Sequence, residues 1–135
     1  MQEDRLIEHE TGSIIVIIAT DLPMRPDLLS RLARRAGLGI GRAGTPGGNN
    51  SGDIFLAFST ANPDAFTPAG LAALQMVSNE EISPIFDGTA WATEEAIVNA
   101  MVAAETMTGA GNRRVERLPH DALRAALRKY NRLAP

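Results

Sequence analysis

Apolar positions along the chain fall into a few blocks divided by stretches rich in Gly, Pro and Asn. After the polar opening MQEDRLIEHETG, residues 13 to 20 read SIIVIIAT, six successive apolar residues behind a serine. A short, β-branched run that is apolar on both faces predicts a strand in a sheet covered on both sides. DLPMRP then turns the chain. From Asp27 to about Ile40, Leu28, Leu29, Leu32, Ala33 and Ala36 recur at helical spacing, and the glycines at 37, 39, 41 and 44 are expected to end that helix. AGTPGGNNSG is a loop. DIFLAFST, residues 53 to 60, reads as a second strand with Ile54, Leu56 and Phe58 on one face.

ANPDAFTPAG is a further loop, and LAALQMV (71 to 77) admits strand or helix, with strand preferred. SNEE (78 to 81) has the capping-box pattern, serine followed three residues later by glutamate, so a long helix should run from there to about Ala104, with Pro84 a candidate kink. TMTGAGN closes it. Asp121 opens a last amphipathic helix that offers Leu123, Ala126, Leu127 and Tyr130 for packing. The order is β-α-β-(β)-α-α, without internal repeats or low-complexity tracts. Two or three strands make a poor independent sheet, and these have more apolar faces than the chain can cover. The pattern therefore predicts an α/β fold of which this chain is the C-terminal portion.

Composition narrows the picture. A chain of 135 residues fits one domain or half of a larger one. Hydrophobic residues make up 44% but aromatic ones only 4%, so Leu, Ile, Val and Ala must fill the core. A net charge of −3 argues against a nucleic-acid partner, and the basic clusters RLARR (31 to 35) and NRR (112 to 114) read as solvated faces. The absence of cysteine removes disulfides, thiolate chemistry and Cys-ligated zinc. No apolar run reaches membrane-spanning length, so no membrane partner is expected, and the acidic, polar opening is unlike a signal peptide. The cytoplasm is the expected location.

Some candidate motifs are weak on their own chemistry. GIGRAG (39 to 44) matches G-x-G-x-x-G, but it follows a helix rather than a strand, so helix termination accounts for it better than a dinucleotide site. His9 and His120 are far apart and share no metal-ligand spacing. Met76, Met101 and Met107 read as core filler and Trp91 as a packed helix residue.

Two features stand apart. Ser51 and Asp53 flank Gly52 where the Gly/Asn loop meets the second strand. Residues two apart on a strand point to one face, so a hydroxyl and a carboxylate emerge together, either as a polar strand cap or as a functional pair. Gly12–Ser13 precedes the first strand. It is either a turn or a bond meant to break. A serine hydroxyl is a poor nucleophile without a base. Cleavage before Ser13 would free an α-amine of pKa about 7.7–8.0 on the same residue as the hydroxyl, able to take a proton near neutral pH. The glycine lets the backbone adopt the geometry that an N→O acyl shift needs.

Taken together, TGSIIVIIATD, NNSGDIFLAFSTAN, ATEEAIVNAMVAAETMTGAG and RLPHDALRAALRKY resemble, in that order, the C-terminal (β) part of the self-processing L-aminopeptidase/D-amidase-esterases, which include the β-peptidyl aminopeptidases. The likeness runs from about Ser13 to Tyr130. It implies an αββα sandwich similar to the N-terminal-nucleophile hydrolases but with different connectivity. Residues 1–12 would end the α part, and residues 13–135 would form the β part of one hydrolase domain. It also implies cleavage at Gly12–Ser13, with Ser13 as nucleophile and Ser51 and Asp53 as its catalytic partners. The family often has Glu where this chain has Asp53, which shortens the reach. No cofactor or metal is implied. The expected partners are the α part, which supplies an oxyanion-stabilising asparagine and most of the substrate pocket, further copies of the α/β unit, and a small peptide or an amino-acid amide or ester. Ornithine acetyltransferases share the architecture but use threonine, so Ser13 favours the peptidase side over an acyltransferase. Without an α part, the chain would be a non-catalytic assembly subunit.

Overall fold

A computed structural model of the chain describes residues 12–45, 47–66 and 70–133. The polar opening, with His9, lies outside the described residues apart from Gly12. The chain forms two compact units that divide between Glu94 and Glu95.

The first unit is built on two parallel strands, β1 (Ile15–Thr20) and β2 (Ile54–Ser59), connected through helix α1 (Pro26–Arg42). β-Branched and aromatic residues suit the pleated backbone of both strands. Their register pairs Ile15 with Ile54, Ile17 with Leu56 and Ala19 with Phe58 on one face, and Val16 with Phe55 and Ile18 with Ala57 on the other. The two faces have different fates. Ile18 and Ala57 pack against a core of Met24, Leu28, Leu32, Ile82 and Phe86, and α1 covers that side. The opposite face is bare, with Ile15 68%, Ile17 63%, Ile54 59%, Leu56 54% and Phe58 44% exposed. Completing the burial of those five side chains represents on the order of 5 kcal/mol of unused hydrophobic stabilisation.

Helix α1 begins with Pro26 in its first turn, where a missing N–H costs nothing, and has Asp27 at its positive end and Arg42 at its negative end. It runs through Gly37, Gly39 and Gly41, which were expected to stop it, and ends at Ala43, whose N–H bonds the Gly39 carbonyl. Gly39 is needed for contact rather than for termination. A Cβ there would lie 2.4 Å from the Ala90 carbonyl oxygen and 2.6 Å from the Thr93 Cβ, so α1 crosses its neighbouring helix at nearly backbone distance. Thr93 is buried at that crossing, and its hydroxyl donates to the Thr89 carbonyl at 2.8 Å. GIGRAG therefore lies mostly inside a helix and offers no phosphate loop.

The basic run of α1 is not simply solvated. The guanidinium groups of Arg31 and Arg35 lie over the Phe86 ring, 5.1 and 4.4 Å from its centroid, and Arg31 donates to Asn79 at 2.8 Å. Residues 71 to 77 form no strand. The Asn62 side-chain amide holds the backbone of Gln75 through two hydrogen bonds, and Val77 N–H donates to the Pro23 carbonyl, so the segment is tied by side chain and loop rather than by a sheet. Ser78 precedes a single 3-10 turn, Asn79–Glu81, and makes no side-chain cap bond, so the capping box is a pattern without its bonds. Helix α2 (Ile82–Ala103) follows, with Pro84 accommodated in its first turn. Trp91, expected to be packed, is 60% exposed. Met76, Met101 and Met107, expected in the core, are 43%, 46% and 63% exposed.

The second unit contains the end of α2, a short antiparallel hairpin and a last helix. Strands β3 (Met107–Thr108) and β4 (Arg114–Val115) pair where only a helix-closing loop was expected; Gly111 and Asn112, both with positive φ, make the turn. Helix α3 (His120–Lys129) starts one residue earlier than expected, with Leu123 and Leu127 half-buried and Tyr130, just beyond it, 67% exposed. No helix among the described residues is long and apolar enough to cross a membrane.

Candidate active site

The two parallel strands start side by side, and the candidate residues sit at that shared start. Ile54 N–H donates to the Ile14 carbonyl at 3.0 Å, the last backbone bond of the ladder. Before it, side chains take over. Gly52 N–H donates to Ser13 Oγ at 2.9 Å. Ile14 N–H donates to Asp53 Oδ1 at 3.1 Å, and Ser51 Oγ donates to the same oxygen at 2.7 Å. The loop delivers Ser51 through a turn closed by its own N–H on the Gly48 carbonyl at 3.0 Å. That loop contains Gly47, whose φ of +75° favours glycine.

Ser13, Ser51 and Asp53 thus meet within one hydrogen-bonded cluster, although 38 residues separate the first two in sequence. Ser51 and Asp53 lie just before β2 and are joined directly, so their pairing arises in the loop and not from strand alternation. Asp53 Oδ1 accepts from both the Ser51 hydroxyl and the Ile14 N–H. Ser51 gives its proton to Asp53 rather than to Ser13. The cluster opens to solvent: Ser13, Gly52 and Asp53 are exposed and Ser51 is half-buried.

Gly52 was not singled out from sequence. Its only signal was its place between a hydroxyl and a carboxylate at a strand mouth. A Cβ at this position would make ordinary van der Waals contact with Ser13 Oγ at 3.5 Å. His120 Nε2 lies 2.9 Å from the Val102 carbonyl oxygen. Among the described residues there is no group of three or more His, Asp or Glu side chains placed to hold a metal ion.

Residues 1–115 match the model of peptidase family S58. The chain belongs to this family. Within it, the chain is 52% identical over 124 residues to the β-peptidyl aminopeptidase BapA of Sphingosinicella microcystinivorans, covering 91% of this chain and 31% of that protein. It is 45% identical to the BapA of Sphingosinicella xenopeptidilytica, over 85% of this chain and 29% of that protein. Among solved structures, the L-aminopeptidase D-Ala-esterase/amidase of Ochrobactrum anthropi superposes with a TM-score of 0.81 at 53% identity, over 90% of this chain and 35% of that one. That enzyme is a prototype of the serine aminopeptidases and a variant of the Ntn hydrolase fold. A β-aminopeptidase of Burkholderia sp. superposes at 0.79 and 42% identity, over 94% of this chain and 37% of that one. This S58 chain is therefore α/β and shares its fold with part of an Ntn-type hydrolase. It spans about a third of the length of these relatives.

Proposed function

We propose that the chain is the nucleophile-bearing β part of a serine aminopeptidase that releases N-terminal amino acids from peptides, amides or esters. The observation that carries this reading is the cluster at the strand mouths, where Ser13 Oγ, the Gly52 N–H and the Ser51–Asp53 pair converge in an S58 chain.

The chemistry begins with the chain itself. Ser13 Oγ adds to the Gly12 carbonyl, the C–N bond to Ser13 breaks, and the resulting ester is hydrolysed. That leaves Ser13 with a free α-amine. In turnover the amine takes the hydroxyl proton as Oγ attacks the substrate carbonyl, then gives it to the departing amine. Asp53 fixes the Ser51 hydroxyl and, through Ile14 N–H, the backbone beside the nucleophile. Its negative charge favours the protonated Ser13 amine. The remaining parts come from an α part, as in the longer family members: an oxyanion donor and the pocket for the substrate's amino group. Donors of that kind are commonly the largest catalytic term.

The bare sheet face supports such a partner, since exposed apolar patches of this kind mark interaction surfaces. We further propose that the α/β units assemble into a homo-oligomer, as the family resemblance implies.

Intact-mass measurement on the protein produced with its α part tests the reading. The expected product is a chain that starts at Ser13. An active preparation in which Gly12–Ser13 is uncut would exclude an N-terminal nucleophile. An inert and uncut complex would favour a non-catalytic assembly subunit.

A further inference from the structure

The register of the sheet shows that two side-chain bonds stand where backbone bonds belong. In a parallel pair one residue donates to the residue before its partner and accepts from the residue after it. Ile54 is paired with Ile15, and its N–H bonds the Ile14 carbonyl. Two residues earlier, the same geometry would send Gly52 N–H to the Gly12 carbonyl and Ile14 N–H to the Gly52 carbonyl. Both donors are diverted. Gly52 N–H goes to Ser13 Oγ and Ile14 N–H goes to Asp53 Oδ1. The carbonyl that Ser13 must attack is thereby left out of the ladder, and the attacking oxygen takes its place as acceptor.

We infer that the backbone N–H of Gly52 is a catalytic group acting on Ser13 Oγ, both as that oxygen attacks and as it departs. This rests on Ser13 being the nucleophile. An N–H bonded to Oγ leaves the hydroxyl proton free for the base, and stabilises negative charge on that oxygen. As the amine takes the hydroxyl proton during attack, negative charge builds on Oγ ahead of the new C–O bond, and the donor orients and stabilises it. Deacylation passes through the same charge distribution in reverse. Water adds to the acyl carbon and gives a proton to the Ser13 amine. The C–Oγ bond then breaks with its electron pair on Oγ, which takes the proton from the ammonium. Charge develops on Oγ in that step, against a donor already at 2.9 Å. A Cβ at Gly52 would stand in ordinary van der Waals contact with Oγ, 3.5 Å away, so the donor and the oxygen approach along the backbone with no side chain between them.

The test is made on the complete enzyme with its α part. The chain is assembled by ligation to begin at Ser13, so that self-cleavage is not required. Gly52 is replaced by glycolic acid, which exchanges the N–H for an ester oxygen and keeps the shape. A fall in kcat of about 100-fold is expected, the scale of removing one oxyanion donor. Turnover within threefold of the parent overturns the inference.

Amide hydrogen exchange decides the matter independently of that variant's folding. The Gly52 amide should exchange at least tenfold faster in S13A than in the parent, and equal exchange overturns the inference. S13A also separates the two levels. A turning-over S13A enzyme removes the nucleophile assignment itself. A dead S13A beside a fully active glycolate chain removes only the role of Gly52.

Discussion

Asp53 and Ile14 are joined across the mouths of the two strands, carboxylate Oδ1 to backbone N–H at 3.1 Å, although 39 residues separate them. One carboxylate therefore closes the sheet, holds the Ser51 hydroxyl and places negative charge beside the residue that precedes Ile14. Structure and chemistry meet in one side chain, and substitution can separate them.

Asp53→Asn keeps the shape and an acceptor oxygen but removes the charge. The melting temperature should fall only slightly, since an exposed bond of this kind contributes about 1 kcal/mol. The Ser13 amine of the mature enzyme should become easier to deprotonate, because a nearby opposite charge had favoured its charged form. The acidic limb of kcat/KM against pH should then move to lower pH, with a lower plateau from lost orientation. An unmoved limb with an unchanged plateau would make the carboxylate a plain strand cap.

Ser51→Ala deletes a hydroxyl whose proton already goes to Asp53. Turnover should drop while the acidic limb stays in place, because no charge is added or removed. Stability should change by less than about 1 kcal/mol. Parallel kinetics and thermal melts of the mature protein check both statements.

Ile17→Lys and Leu56→Lys place charge on adjacent positions of the bare sheet face. If an α part covers this face, co-purification of the two parts should be lost in either variant. The same substitutions should leave the circular dichroism of this chain by itself nearly unchanged, because both side chains are already more than half exposed. Retained assembly with charge at both positions would place the partner elsewhere.

Gly39→Ala and Gly41→Ala are the same change on one helix with opposite expected signs. The Gly39 Cβ meets the Ala90 carbonyl at 2.4 Å, so overpacking should cost about 1–3 kcal/mol. Nothing lies within 4 Å of a Cβ at Gly41, and alanine there should stabilise the helix by about 0.5–1 kcal/mol. Urea denaturation of the two variants measures the difference.

Elements with a strong local pattern were legible from sequence. The SIIVIIAT run, the 54-56-58 alternation of β2 and the helical spacing of Leu28, Leu32 and Ala36 all appear where expected. Patterns that depended on a partner were misread. LAALQMV has the composition of a strand but pairs with no strand among the described residues, and the Asn62 amide holds Gln75 instead. The glycines of GIGRAG resemble a stop signal, yet two of them lie inside α1 because intrinsic propensity yields to tertiary contact. Met107 and Val115 pair across a hairpin whose turn needs the positive φ of Gly111 and Asn112, a weak signal within TMTGAGN.

For the site, the sequence by itself determined the chemical inventory: a serine behind a glycine, a second serine and an aspartate two residues apart, and no cysteine. It also determined that both groups precede apolar strands, since strand patterning is local. Tertiary structure alone decided that those strands run parallel with Ile15 opposite Ile54, and so that position 13 meets position 52. Register is a property of two strands and of the helix that connects them. No local pattern encodes which N–H will face which oxygen, and for that reason the Gly52 donor, which carries no side chain, became visible only in the fold.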